Sequence, residues 1–257
     1  MSNLVVIVTG GGGGIGRQTS LALGRAGAQV VVVGRAEFSL AETVSAIREQ
    51  GAAPPALALP LDVRSEADME TMARDTLARF GRIDALVTCA GILSAPGEGP
   101  RPVAELPAGA WDTTLTTNLT GVFLSNRAVL PAMMAQGRGD IINLSSTSGR
   151  RGQAYAAAYS ASKAAVIGFS ESLAEEVRSH GIRVQVLVTG PVQTRIWEQN
   201  RPFPPPEQFL PPERVADLIV YVLSRPKDTV LPGAVIAPFR PRRRPAWRAA
   251  GAAAVRA

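Results

Sequence analysis

Cysteine and histidine are almost missing: Cys89 and His180 are the only examples in 257 residues. A single cysteine excludes an internal disulfide framework, and one histidine leaves too few parts for a zinc site or a Ser-His-Asp hydrolase. Aromatic residues make up only 5% of the chain. No apolar run approaches the roughly 20 residues that a membrane-spanning helix needs. The N-terminus also lacks the basic segment followed by a long apolar segment that marks a secretory signal. These absences lead to the expectation of a soluble, cytoplasmic protein. Asn118-Leu-Thr and Asn143-Leu-Ser match the glycosylation pattern, which matters only in a secreted chain.

Acidic residues are outnumbered 27 to 21, but the imbalance belongs to one end. Residues 240–257 hold six arginines and no acid, which leaves the body with 21 residues of each sign. That tail, RPRRRPAWRAAGAAAVRA, has no clean apolar periodicity and reads as a disordered end. Contact with nucleic acid or an anionic membrane is the competing reading of the same arginines.

What the sequence does have is alternation. Short β-branched runs at 4–9, 29–33, 56–61, 83–88, 140–145, 183–188 and 234–238 are separated by amphipathic stretches beginning near Gly14, Phe38, Ser65, Trp111, Ala154 and Pro212. Such alternation is the pattern of βαβ units, and it predicts one α/β domain over residues 1–239 with a doubly wound, parallel, seven-stranded sheet. The proline-dense stretch RIWEQNRPFPPPEQFLPPE follows the sixth run, at the edge where such sheets bind ligands. It is expected to form either a short lid or a plain surface loop.

Thr9 to Gly16 read TGGGGGIG, between the first strand and the first helix. A strand that turns abruptly into a helix needs backbone angles closed to most residues, and the helix start presents free N–H groups to an anion such as a pyrophosphate. Gly11, Gly13 and Gly16 satisfy G-x-G-x-x-G, while Thr9, Gly10, Gly14, Ile15 and Gly16 satisfy T-G-x-x-x-G-I-G.

The second spacing resembles that of the short-chain dehydrogenase/reductase family, and further motifs agree with it along the chain. YSASK supplies Tyr159 and Lys163, INLSS supplies Ser146, and TTNLTG supplies Asn118. The resemblance covers Leu4 to about Pro238 and is loosely closest to the 3-oxoacyl-thioester (acyl carrier protein) reductases. It implies a Rossmann-type fold, an NAD(P)(H)-dependent enzyme, and Asn118, Ser146, Tyr159 and Lys163 as catalytic residues. Tyr159 and Lys163, four apart, share one face of a helix. A phenol titrating near 10 is a poor base at neutral pH, and a neighbouring ammonium is expected to draw it down. Tyr159 would then exchange a proton with the carbonyl or alcohol oxygen that Ser146 holds. Asn118 would hold a water linking Lys163 to solvent. On spacing alone Ser145 and Ser148 compete with Ser146, and Asn118 could simply cap or kink its helix.

After the second strand the chain reads Gly34-Arg35, with no acid for a ribose 2′-hydroxyl and an arginine able to meet a 2′-phosphate. NADP(H) is therefore expected ahead of NAD(H), although Gly13 stands where NADP(H)-dependent relatives often carry a second base and Glu37 lies close by. The resemblance further implies that Thr9, Gly10, Gly14, Ile15 and Gly16 hold the diphosphate, and that Asp62 and Val63 contact adenine. Ala90, Gly91, Tyr159 and Lys163 would line the cofactor, and Gly190, Val192 and Thr194 the nicotinamide carboxamide.

Three segments depart from the family. Thr88-Cys89-Ala90-Gly91 stands in place of Asn-Asn-Ala-Gly, so the amide that ties the central strands is replaced by a weak thiol donor. Thr189-Gly190 replaces Pro-Gly, and the terminal Asp-Gly-Gly of the thioester reductases gives way to AVIAPFRPRRR. Residues expected to border the substrate are Ile92, Leu93, Arg150, Arg151, Gln153, Trp197, Phe203 and Phe209. The expected partner is a small carbonyl or alcohol, with homo-oligomerisation through the helices carrying Asn118 and Tyr159; neither membrane nor nucleic acid is expected. An NAD-dependent alcohol or sugar dehydrogenase and a non-catalytic dinucleotide sensor are the alternatives.

Overall fold

The computed structural model describes residues 1, 4–50, 56–201 and 205–239. The tail at 240–257 and Phe203 lie outside these described residues. Seven strands, all parallel, run β3-β2-β1-β4-β5-β6-β7 across one sheet. They are β1 Val5–Thr9, β2 Gln29–Gly34, β3 Ala56–Pro60, β4 Ala85–Thr88, β5 Gly139–Ser146, β6 Ile182–Thr189 and β7 Ala234–Ile236. The helices are α1 Gly14–Arg25, α2 Glu37–Arg48, α3 Glu66–Phe80, α4 Ala108–Leu115, α5 Gly121–Gln136, α6 Ala157–Glu176 and α7 Pro212–Leu223.

Alternation along each central strand divides the core into two layers. Val6, Val8, Val30 and Val32 pack with α1, α2 and α7, whereas Ile7, Val31 and Val33 pack with α3, α5 and α6. Both faces of the sheet are thereby dry, which is why the strands read as unbroken apolar runs. The strand order reverses between β1 and β4, and a crevice opens at that switch point. Register brings the strand ends level there: Thr9 pairs with Thr88, Thr88 with Asn143, and Ser146 with Thr189.

Two boundaries differ from the sequence expectation for identifiable reasons. The helix expected from about Trp111 starts earlier, at Ala108, and is broken into α4 and α5 by a π-helical turn over Thr116–Thr120 that carries Asn118. Such turns widen the backbone locally and are frequent at functional sites. The helix expected from Ala154 starts at Ala157, because Tyr155 adopts a left-handed φ of 64° that no α-helix can contain.

The central strands are joined without the amide missing at Cys89. The Thr88 hydroxyl donates to Asn143 Oδ1 at 2.9 Å, and Asn143 exchanges hydrogen bonds with Asn126 of α5 and donates to Ser170 of α6. All four side chains are buried and satisfied, so β4, β5, α5 and α6 are locked in one register. At the opposite end of β5, buried Asp140 accepts from Arg183 at 2.6 Å and pairs with Lys227. Among the described residues no helix is long and apolar enough to cross a membrane.

Candidate active site

The glycine turn is built so that α1 begins directly against the end of β1. A Cβ on Gly16 would lie 2.2 Å from the Gly10 carbonyl oxygen, and one on Gly10, whose φ is +68°, would lie 2.7 Å from the Ala90 nitrogen. Neither position can carry a side chain. A cleft runs over this turn, walled by Gly10, Gly14, Ile15, Gly16, Arg35, Cys89, Ala90 and Gly91 and closed by Thr194 to Gln199. Backbone N–H groups at a helix start, a glycine floor and an arginine at the far rim suit the diphosphate and ribose of a dinucleotide. Thr9 is buried beneath, its hydroxyl accepting from the Ala90 amide at 3.4 Å, so it supports the wall rather than lining it.

A second cleft adjoins the first through Ile15 and Thr194 and brings Ser146, Gln153, Tyr159, Gly190, Val192 and Trp197 together. The Tyr159 phenol lies within hydrogen-bonding reach of the Ser146 hydroxyl. The competing serines separate by their partners. Ser145 donates to the Lys163 carbonyl at 2.7 Å, facing away from the cleft, whereas Ser146 Oγ accepts only the Ser148 amide and keeps its proton available.

Tyr159 and Lys163 share a face of α6, with the lysine Nζ 5.9 Å from the tyrosine ring centroid. Lys163 is only 7% exposed, and its Nζ donates to the Leu144 carbonyl at 3.1 Å. Burial pulls its ammonium down to about 8, with Cys89 opposing the shift. Burial also holds the Tyr159 phenol above its ordinary value, and the Ser146 hydrogen bond opposes that only in part. The phenol is thus governed by burial rather than lowered by the ammonium, whose Nζ is turned to Leu144. Cys89 is pushed up to about 12 by burial, against the charge of Lys163, so its thiol stays protonated.

Asn118 is fully buried. Its Nδ2 donates to the Ile92 carbonyl and to Ser162 Oγ, and its Oδ1 accepts the Ile92 amide. It therefore ties the loop after β4 to α6. Asp62 and Val63 line neither cleft. Asp62 is chelated by the Arg64 guanidinium, which holds its carboxyl below the usual range with a smaller contribution from Arg35. Val63 is buried against Gly121. At Gly190 a Cβ would meet Ala237 and Pro238 at 3.0 Å, so the glycine serves packing against the segment after β7 as well as the cleft.

Of the residues expected near substrate, Leu93, Gln153 and Trp197 border the second cleft, and Phe209 supports Trp197 edge to face at 5.6 Å. Arg150 does not: it donates to the Gly233 carbonyl and lines a different cavity beside β6. A feature absent from the sequence reading is Gln199, whose Oε1 accepts the amides of Leu93 and Ser94 at 2.9 and 3.4 Å. It fastens the short helical turn Arg195–Asn200 across the crevice to the loop after β4. No local pattern signals this contact, since the partners lie 106 residues apart.

Residues 4–204 match the family described as short chain dehydrogenase. The chain belongs to that family. A putative ketoacyl reductase of Streptomyces coelicolor is 35% identical over 241 residues, covering 86% of this chain and 90% of that protein. A crystal structure of a variant actinorhodin polyketide ketoreductase with NADPH superposes with a TM-score of 0.80 at 31% identity, covering 92% of this chain and 97% of that one. The 3-ketoacyl-(acyl-carrier-protein) reductase of Brucella melitensis, solved with NADH, gives 0.81 at 27% identity, covering 92% and 96%. This short-chain dehydrogenase is thus an NAD(P)-dependent oxidoreductase of ketones and alcohols, with a single-domain Rossmann fold.

Proposed function

We propose that the protein reduces a ketone to a secondary alcohol with NADPH in preference to NADH, Tyr159 donating the proton. The observation that carries this reading is the position of the Tyr159 phenol, beside the Ser146 hydroxyl, in a cleft continuous with the glycine turn. A nucleotide held in that cleft would supply the hydride to the carbonyl carbon. Ser146 donates a hydrogen bond to the substrate oxygen, and Tyr159 passes its proton to that oxygen as negative charge develops there. Lys163 lies beneath the cofactor wall at Gly91 and restores positive charge near the phenolate left behind. Asn118 also acts as a positioning residue, its side chain being held by Ile92 and Ser162.

The NADPH preference rests on Arg35, exposed at the cleft rim directly after β2 with no acid at that strand end. Homo-oligomerisation is supported by the outer faces of α5 and α6, where Phe123 stays 39% exposed while meeting Phe169 edge to face. Paired NADPH and NADH oxidation over a panel of ketones tests the assignment. Tyr159→Phe should still bind nucleotide but lose about 10²- to 10⁴-fold in kcat; a variant that keeps its turnover removes the mechanism.

A further inference from the structure

The helical turn Arg195–Asn200 bridges the crevice, and its two ends are held in different ways. At the near end Thr194 rests on the glycine turn: a Cβ on Gly14, whose φ is +49°, would come within 3.0 Å of the Thr194 methyl carbon. Backbone bonds fix this end, the Gln193 amide donating to the Leu210 carbonyl and the Leu210 amide to that of Pro191. The Trp197 indole adds a bond of 2.8 Å to the Val192 carbonyl. At the far end one half-buried side chain does most of the holding. The amides of Leu93 and Ser94 both donate to Gln199 Oε1, and the Ser94 hydroxyl lies 3.2 Å from the Gln199 carbonyl oxygen. The chains meet closely there, since a Cβ on Gly99 would lie 2.7 Å from the Arg201 carbonyl oxygen. The anchor itself is rigid, because Asn118 grips the backbone of Ile92 next to Leu93.

We infer that Gln199 is a positioning residue: by fastening this strap to the loop after β4 it sets how long a nucleotide stays over the glycine turn. The inference rests on the reading of that cleft as the nucleotide's seat. Between its two ends the strap turns Arg195, Ile196 and Glu198 to the nucleotide cleft and Ile196 and Trp197 to the cleft of Ser146 and Tyr159. A ligand lying on the glycines is therefore covered by the strap, and a freed far end uncovers it. Glu198 cannot take over the anchoring, as its carboxylate is paired with Arg195. Losing the acceptor trades two backbone bonds for water and leaves the near end in place, so the opening is local and needs no unfolding of the sheet.

The test follows release of NADPH by stopped-flow fluorescence with no carbonyl present, alongside hydrogen exchange of the nucleotide-free protein. Gln199→Leu keeps the bulk and removes the acceptor. It should release NADPH about tenfold faster, and the Leu93 and Ser94 amides should exchange about tenfold faster, each equivalent to about 1.4 kcal/mol. Gln199→Glu still offers a carboxylate oxygen to both amides and should stay within about twofold of wild type in both readouts. Gly99→Ala pushes the same end of the strap away without touching Gln199, and it should speed release about fivefold. Wild-type release and exchange in Gln199→Leu would overturn the inference, as would a Gln199→Glu protein that behaves like Gln199→Leu. A protein that reduces no ketone yet loses NADPH faster in Gln199→Leu would keep the inference and remove the reductase reading. Failure to bind either NADPH or NADH would sink both.

Discussion

Asn118 and Ile92 face each other through two hydrogen bonds of 2.8 Å, the Ile92 amide donating to Oδ1 and Nδ2 donating to the Ile92 carbonyl. A side chain thus closes a backbone pair that no strand neighbour serves. Asn118→Leu keeps the bulk and removes both partners, leaving two buried backbone groups unpaired. The expected loss is about 2–4 kcal/mol, read as a lower urea midpoint at unchanged slope. A midpoint equal to wild type would mean that Ile92 finds other partners.

The glycines of the turn are predicted to be unequal. Gly16→Ala must push Cβ against the Gly10 carbonyl, 2.2 Å away, and should weaken nucleotide binding at least about tenfold. A Cβ on Gly13 meets nothing within 4 Å, so Gly13→Ala should leave binding unchanged. Isothermal titration of both variants with NADPH separates a steric role from mere flexibility.

Cofactor preference should respond to charge at two sites on the same rim. Arg35→Ala is expected to raise KM for NADPH about tenfold, the worth of one charge-assisted hydrogen bond, while NADH changes less than about twofold. Gly13→Arg places a second cation where there is open space and should shift the NADPH/NADH ratio the opposite way. Identical effects of Arg35→Ala on the two nucleotides would remove the 2′-phosphate assignment.

The buried ammonium of Lys163 should appear in stability against pH. Folded, it titrates at about 8 instead of 10.5, so between those values the unfolded chain binds the extra proton and stability rises with pH. Cys89 acts oppositely: the folded thiol keeps its proton up to about 12, the unfolded one loses it near 9.0, and stability falls above that point. Wild type should therefore gain in Tm from about pH 8 to 9.0 and then level off. Lys163→Met should abolish the gain, and Cys89→Ala should let it continue toward 10.5. A Tm that declines from pH 8 in wild type would contradict the burial of this charge.

Asp140 is the counter-ion of Arg183, both nearly inaccessible, with Lys227 closing the group from outside. Asp140→Ala strands a buried guanidinium and should cost about 3–5 kcal/mol. Lys227→Ala removes the more exposed partner and should cost less than about 1 kcal/mol. Equal losses in chemical denaturation would show that the two cations share the burden.

Sequence pattern revealed the sheet because strands buried on both faces announce themselves as valine runs, and it placed Tyr159 and Lys163 together because helical spacing is local. It resolved less where a contact joins distant segments. Thr88 and Asn143 are 55 residues apart, and the hydrogen bond by which they join the central strands is visible only once the strands are paired. Gln199 reads as one more polar residue in a proline-rich stretch until Leu93 and Ser94 are seen beside it. Arg150 illustrates the converse: its position after β5 suggested the substrate, but its long side chain reaches the Gly233 carbonyl instead. The sign of the Tyr159 shift also escaped, since it depends on how much water the folded cleft excludes. Tyr155 is the first tyrosine in AYAAAY, and nothing in that run foretells a left-handed backbone.

The parallel order of the sheet has a consequence for how the molecule can be divided. β1 gains its second neighbour only when β4 arrives, and Ala90, just past β4, is what Gly10 presses against. A nascent chain halted before that strand would carry every glycine of the turn and yet lack one bank of its channel. The half that carries the glycine turn is accordingly not a transplantable cassette; its cleft comes into being only as the whole sheet closes.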